Sequence, residues 1–313
     1  MISRLCARFL NWFVQPASPV PLAWFRIAVT LFCLVRLFVL RHSLLDVYGQ
    51  YGFVQWAITR ANLYDGLPHL GNIVLLMGHL GLTADQSVYV VLAVYFVAVL
   101  ALMAGFASRW SAALVWFVNF LLIHAGGGLV YGMDIFTHIA LFYCLIMPVG
   151  DALSLDARFG WRKAQPSVAA GVTRRMLQLH LCIIYFSSGL EKAAGIQWWN
   201  GEAIWRSVML PSFAGFDLHW LAYVPWLAAM ICWSVLALET GYTFFVWWRR
   251  TRLVWLGMMV SMHLGIGLFL GMWMFGWIMI IMNFGAFAYE AANDWIQWRA
   301  AKGAKKLAPA AAG

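Results

Sequence analysis

The stretch His180–Arg206, HLCIIYFSSGLEKAAGIQWWNGEAIWR, decides how the chain is read. An apolar run carries Glu191 and Lys192 to its end, breaks at Gly195, and turns through Trp198-Trp199-Asn200-Gly201 into a shorter amphipathic run. Tryptophans and a lysine gathered where an apolar helix stops mark a membrane–water boundary. Outward from this stretch the chain stays apolar: 64% of its 313 residues are hydrophobic and 11% charged, with a mean hydropathy of +0.78. A soluble chain carries about twice that share of charge. The apolar runs are long and do not alternate as barrel strands would, so the fold class is all-α, a polytopic bundle of membrane helices.

A spanning helix needs about 20 apolar residues. Spans are therefore predicted near 21–40, 86–106, 110–126, 132–149, 172–191, 220–247, 252–270 and 273–290, eight in number. The segments SLLDVYGQYGFVQWAITR (Ser43–Arg60) and LPHLGNIVLLMGHLGL (Leu67–Leu82) are only mildly apolar and broken by Pro68 and glycines. They are predicted as helices lying in the outer interface, capping the bundle on the Lys192 side. Residues 1–20 are expected to form an uncleaved amphipathic cytoplasmic leader, 21–290 one transmembrane domain, and 291–313 a cytoplasmic tail whose end, AAKGAKKLAPAAAG (300–313), has no fixed structure.

The net charge of +9 does not indicate nucleic acid, because the basic residues fall in short clusters between spans. With eight spans, fifteen lysines and arginines lie on one side, among them Arg109, Arg158, Arg162, Arg249, Arg250 and Lys302. Only Arg41, Arg60, Lys192 and Arg206 lie on the other. By the positive-inside rule both termini are cytoplasmic and Lys192 faces the extracytoplasmic side. The five cysteines are scattered and show no metal-ligand spacing, which predicts free thiols.

Ionisable groups at membrane depth are costly and are candidates for function. Glu239 lies about 15 Å in from the basic end of its span, and His263 at nearly the same depth on the next helix. They are expected to pair, as a structural hydrogen bond between helices or as a proton relay. Arg26 either snorkels or pairs with a buried acid such as Glu239, and Arg36 snorkels. Asp134 and His138 share a helix face, with His124 beside the Gly126-Gly127-Gly128 turn. A metal site assembled from His124, Asp134 and His138 is the lesser reading, since no metal motif is present, and no metal is assigned. Lys192 has two readings. It snorkels to headgroups, or it lies dry beneath Trp198, Trp199 and Trp205 and serves as a base, because desolvation favours the neutral amine.

Three stretches bring in a family resemblance. SPVPLAWFRIAVTLFCLVRL (Ser18–Leu37), YFSSGLEKAAGIQWWNGEAIW (Tyr185–Trp205) and ALETGYTFFVWWRRTRLVWLGMMVSMHLGIGLFLGM (Ala237–Met272) resemble, in that order, segments of the HTTM family. That membrane domain is shared with vitamin K-dependent gamma-carboxylase. The resemblance implies an enzyme in which a lysine deprotonates vitamin K hydroquinone and O2 converts the quinol into a strong base on the way to the epoxide. That base then removes a glutamate γ-proton, and CO2 adds. It places Lys192 at the catalytic lysine and His263 at a membrane-site histidine. Glu239 and Asp134 join them as catalytic candidates, with Asp134 standing where the carboxylase has a histidine. Tyr185, Trp198, Trp199 and His138 are the residues expected to hold a reduced quinone, vitamin K hydroquinone or menaquinol, in a bacterial inner membrane.

The carboxylase's large carboxy-terminal extramembrane region is expected to be missing, which favours quinol epoxidation over general protein carboxylation. A second expectation is an accessory membrane protein that binds an exported peptide or a partner subunit, with Lys192 only an anchor. The bilayer is the one partner common to both readings.

Overall fold

The computed structural model describes residues 2–64, 66–126, 130–210 and 216–307. The chain divides into two compact units, Met1–Arg174 and Arg175–Gly313. Among the described residues no strand is present; the one β-bridge pairs Ala17 with Ser167.

The first unit opens with α1 (Ile2–Phe13), followed by α2 (Val20–Leu40). Pro21 in the first turn of α2 suits a helix start, where the missing N–H would have no partner. Three short helices come next, α3 (Leu44–Tyr48), α4 (Trp56–Ala61) and α5 (Leu70–Gly78), where the sequence predicts interfacial segments. Then α6 (Ala84–Ala104), α7 (Ser108–Gly126) and α8 (Gly132–Ile146) close a ring with α2, which packs against both α6 and α8. Helix α6 starts on a capping box between Thr83 and Gln86 and ends at Gly105 in the left-handed conformation. The short α3, α4 and α5 all pack on α7, and α3 and α5 also on α6. After α9 (Leu155–Arg158), the next long helix is α10 (Val168–Ala193), and the unit boundary falls inside it. Of the Gly126-Gly127-Gly128 turn, Gly127 and Gly128 lie outside the described residues.

The second unit takes in most of α10, the short α11 (Ile196–Trp199) and α12 (Glu202–Met209), then α13 (Pro225–Phe245), α14 (Arg249–Leu270) and α15 (Trp273–Leu307). Helix α14 packs between α13 and α15. Gly276 makes part of this possible, since a Cβ there would lie 2.5 Å from the His263 carbonyl oxygen. Helix α15 continues as far as Leu307, past the predicted end of the last span and into the part of the tail expected to lack fixed structure; residues 308–313 lie outside the described residues.

A helix stands at each of the eight predicted span positions. Five (α2, α6, α13, α14 and the part of α15 up to Arg299) are individually long and apolar enough to cross a membrane. The other three fall short for different reasons. Helix α8 is apolar but has only 15 residues. Helix α7 carries Arg109, Asn119 and His124, and α10 carries Arg174, Arg175, Gln178, His180, Glu191 and Lys192. Much of that polarity is covered within the protein: Asn119, Arg174, Arg175 and Gln178 are all buried.

Two arginines depart from expectation. Arg26 does not snorkel and does not meet Glu239. It is fully buried, and its guanidinium donates to the Val149 and Leu153 carbonyl oxygens just beyond α8. Those carbonyls have no helical partner, and a guanidinium with fixed donors satisfies two at once. Arg36 does not snorkel either; it forms a short ion pair with Asp134. Another carboxylate of this unit, Asp156, accepts from the Ala107 and Ser108 backbone N–H groups and the Ser108 hydroxyl at 2.7–2.8 Å, fixing the start of α7.

Candidate functional site

All four long helices of the second unit meet in one polar cluster. Lys192, in the last turn of α10, points its Nζ at Glu239 Oε2 of α13 at 2.7 Å. The amine also donates to the Ser188 hydroxyl, one turn back on α10, and lies 5.5 Å from the Trp198 ring centroid. The Glu239 side chain is 8% exposed and that of Lys192 24%. A cation in the last turn of a helix also meets the unsatisfied carbonyls there favourably.

Two turns before Lys192 on α10, the Tyr185 hydroxyl lies 2.8 Å from His263 Nε2 of α14. Asn283 of α15 donates its Nδ2 to the Tyr185 oxygen at 2.7 Å and accepts from the Tyr242 hydroxyl of α13 at 2.8 Å. The Tyr185 and Tyr242 rings are 4.5 Å apart. With Asn283 donating to its oxygen, Tyr185 has its own proton to give to His263 Nε2. We therefore assign the imidazole proton to Nδ1. His263 is 2% exposed, and its Nδ1 has no hydrogen-bond partner among the described residues.

The close approach of α10 to α13 depends on Gly189. A Cβ at that position would lie 2.7 Å from Thr240 Cγ2, 3.0 Å from the Thr240 nitrogen and 3.2 Å from Glu239 Cβ. The glycine one turn before Lys192 is therefore what lets Glu239 come within reach of the amine.

The expected Glu239–His263 pair does not form: Glu239 bonds Lys192 and His263 bonds Tyr185. Their partners lie two turns apart on α10, and counting residues along a span does not fix the direction in which a side chain points around the helix axis. The tryptophan roof is narrower than expected. Trp198 faces the amine, but Trp199 donates to the Ala193 carbonyl oxygen, closing the end of α10, while its own carbonyl accepts from Trp233. Trp205 packs instead on an apolar cluster of Val208, Leu221 and Ala228.

Asp134 and His138 belong to the first unit. Asp134 is held by Arg36 and also accepts from the Tyr131 N–H. His138 stacks on Trp116 with ring centroids 5.0 Å apart and lies 3.3 Å from the Asn119 side chain, while His124 bonds the Phe120 carbonyl. The metal reading fails, because among the described residues no three histidine, cysteine or carboxylate side chains come together as a ligand set.

The family model for the HTTM domain matches residues 68–292, more than two thirds of the chain. The chain belongs to the HTTM domain family. The match includes the Tyr185–Trp205 and Ala237–Met272 stretches and leaves out Ser18–Leu37. This HTTM domain is thus a membrane domain related to that of vitamin K-dependent carboxylase. No curated protein and no solved structure matches the chain.

Sequence reasoning did not pick out Ser188, Tyr242 or Asn283. Asn283 left a usable signal, a lone amide in the apolar run from Trp273 to Phe287, which in a membrane needs a partner on another helix. Tyr242 and Ser188 left none, because tyrosine and serine occur along many spans of this chain.

Proposed function

We propose that this HTTM domain is an integral-membrane enzyme in which Lys192, coupled to Glu239, accepts a proton from a reduced quinone. The observation that supports it is the position of the amine: mostly covered, bonded to a carboxylate, two helical turns from a buried Tyr–His–Asn network in an apolar bundle. The pair forms as an ammonium facing a carboxylate. Moving one proton from Nζ to Oε2 leaves a neutral amine beside a carboxylic acid, so Glu239 is the store that readies Lys192 as a base. Trp198 keeps water from one side of the amine.

The donor set fits a quinone. His263 Nδ1 is a buried N–H with no partner among the described residues, a donor of the kind that a quinone or quinol oxygen accepts. Tyr185 and Asn283 fix the ring that carries it, and Trp198 offers an apolar face. A bound quinol would supply an acidic hydroxyl and the four electrons with which O2 becomes one epoxide oxygen and one water; coupling to CO2 addition on a peptide or small acid is the further step that the family relationship suggests. The charge asymmetry of the sequence supports cytoplasmic termini with Lys192 on the opposite side of the membrane.

The test is mass spectrometry of the lipid extract after gentle detergent purification. A stoichiometric menaquinone or related quinone is expected, and it should be lost in His263→Ala. Extracts without quinone would remove the reading.

One observation favours a second reading. The Lys192–Glu239 pair also closes α10 onto α13, as a purely structural clamp would. On that reading the protein is an accessory subunit for an exported peptide, and a partner co-purifies while no quinone does.

A further inference from the structure

We infer that the first unit holds one anionic phospholipid, with an acyl chain in the groove between α6 and α7 and its phosphate against Arg109 and Arg162. The groove has a volume of about 550 Å³, and its walls are almost wholly apolar. On α6 it is lined at three- and four-residue spacing by Val90, Val94, Val97 and Ala101, and on α7 by Trp110 and Leu114. Ala93 and Ala101 leave it recessed where larger side chains would fill it. From Val90 to Ala101 the groove runs about 16 Å along the helix, close to the depth of one leaflet in a hydrocarbon core of about 30 Å. A groove of that depth takes a chain that enters from the interface and lies along the helices.

Its polar end lies at the α6–α7 turn. On the other side of the same first turn of α7 is a second cavity of about 270 Å³, lined by Arg109, Arg162, Ser108, Ser167 and Asp151. Ser108 and Arg109 line the cavity and their neighbours Ala107, Trp110 and Ser111 line the groove, so the step between the two is on the order of a helix diameter, about 10 Å, which a glycerol backbone and phosphate can bridge around the exposed Arg109. The charge there is cationic. Two guanidinium groups face one carboxylate, Asp151, while both oxygens of nearby Asp156 are taken by the start of α7. Burial also pushes the Asp151 carboxyl above its usual range, with Arg162 opposing that shift. A choline or ethanolamine headgroup would bring another cation to two arginines; an anionic headgroup does not.

The surroundings fit an interface. Trp110 is 80% and Trp161 60% exposed, and Trp161 packs on Phe106, at the mouth of the groove, and on Phe159. The turn itself is fixed, since Gly105 abuts Ser154 so closely that a Cβ would lie 2.3 Å from it. Groove and cavity are thus held in register.

The experiment is native mass spectrometry of the full chain from nanodiscs of phosphatidylglycerol and phosphatidylcholine in equal parts. One phosphatidylglycerol per chain is expected to survive delipidation. Retention should fall about tenfold or more in R109Q/R162Q, since each basic residue near the surface contributes about one such factor or slightly less. Ala101→Phe, which fills the groove from a half-buried position, should lower retention while leaving the melting temperature unchanged. Equal retention of both lipids, phosphatidylglycerol retention unchanged in R109Q/R162Q, or a prenylquinone held in place of phospholipid would each overturn the inference.

Discussion

Lys192 Nζ and Glu239 Oε2 lie 2.7 Å apart across α10 and α13, in a gap that exists because residue 189 has no side chain. The pair is at once the contact that joins two helices and the chemical centre of the proposed site. The two roles separate in how variants respond.

Removing one partner leaves a charge behind. Glu239→Leu is expected to destabilise the protein by about 2 kcal/mol, less than the 3–5 kcal/mol typical of a fully buried pair, since the Lys192 side chain keeps 24% exposure. The double variant Lys192→Met, Glu239→Leu should recover most of that loss. Thermal unfolding in detergent across the four-member cycle checks this; strictly additive effects would show that the two groups do not interact.

Gly189→Leu should cost more than Gly189→Ala, and both should act through the ion pair. An added Cβ meets Thr240, and overpacking of this kind costs about 1–3 kcal/mol. Unfolding measured for Gly189→Ala in wild type and in the double variant lacking the pair would show whether the costs are coupled.

Tyr185→Phe removes the hydroxyl that joins His263 to Asn283. It should cost about 1–3 kcal/mol, the usual penalty for leaving buried polar partners unmatched. Asn283→Leu alone should cost a similar amount, because the Tyr242 hydroxyl loses its acceptor and the Tyr185 oxygen loses a donor. An unchanged melting temperature for both would mean that the network is not formed.

Outside the spans, His69 supplies a pH dependence. Its Nδ1 accepts from the Gly71 N–H at the start of α5, and its Nε2 lies 2.9 Å from the Thr59 hydroxyl. Burial first, then the Arg60 and His124 charges, push its pKa down to about 4 from 6.5. A group whose pKa is depressed on folding contributes its full stability above the unfolded value and loses it as pH falls toward the folded value. Amide protection of α4 and α5 should therefore be constant above pH 6.5 and drop between 6.5 and 4. Hydrogen exchange that is flat over this window, after correction for the intrinsic rate, would contradict the assignment.

Much of the fold was legible because hydropathy over a long window needs no tertiary information. All eight predicted spans coincide with helices, and the interfacial segments fall on α3, α4 and α5. Lys192 was legible as a lysine at the end of an apolar helix and Glu239 as a costly group at membrane depth, but their pairing was not. It depends on the rotation of α10 and α13 about their axes, and the sequence signals this only through Gly189. Arg26 and Arg36 misled for a related reason. Their depth suited snorkelling, while the acceptors that bury them, Val149, Leu153 and Asp134, lie on elements more than 90 residues away. The uncapped end of a helix and a lone aspartate can be seen in a sequence, but which cation will reach them cannot.

The central claim is that Lys192 removes a proton from a quinol. It is tested most directly by following epoxide formation from a reduced quinone under O2 in purified, reconstituted protein, comparing wild type with Lys192→Met and with melting temperatures measured alongside. The account predicts a loss of about a hundredfold or more in a variant that remains folded. Turnover equal to wild type in folded Lys192→Met would contradict it.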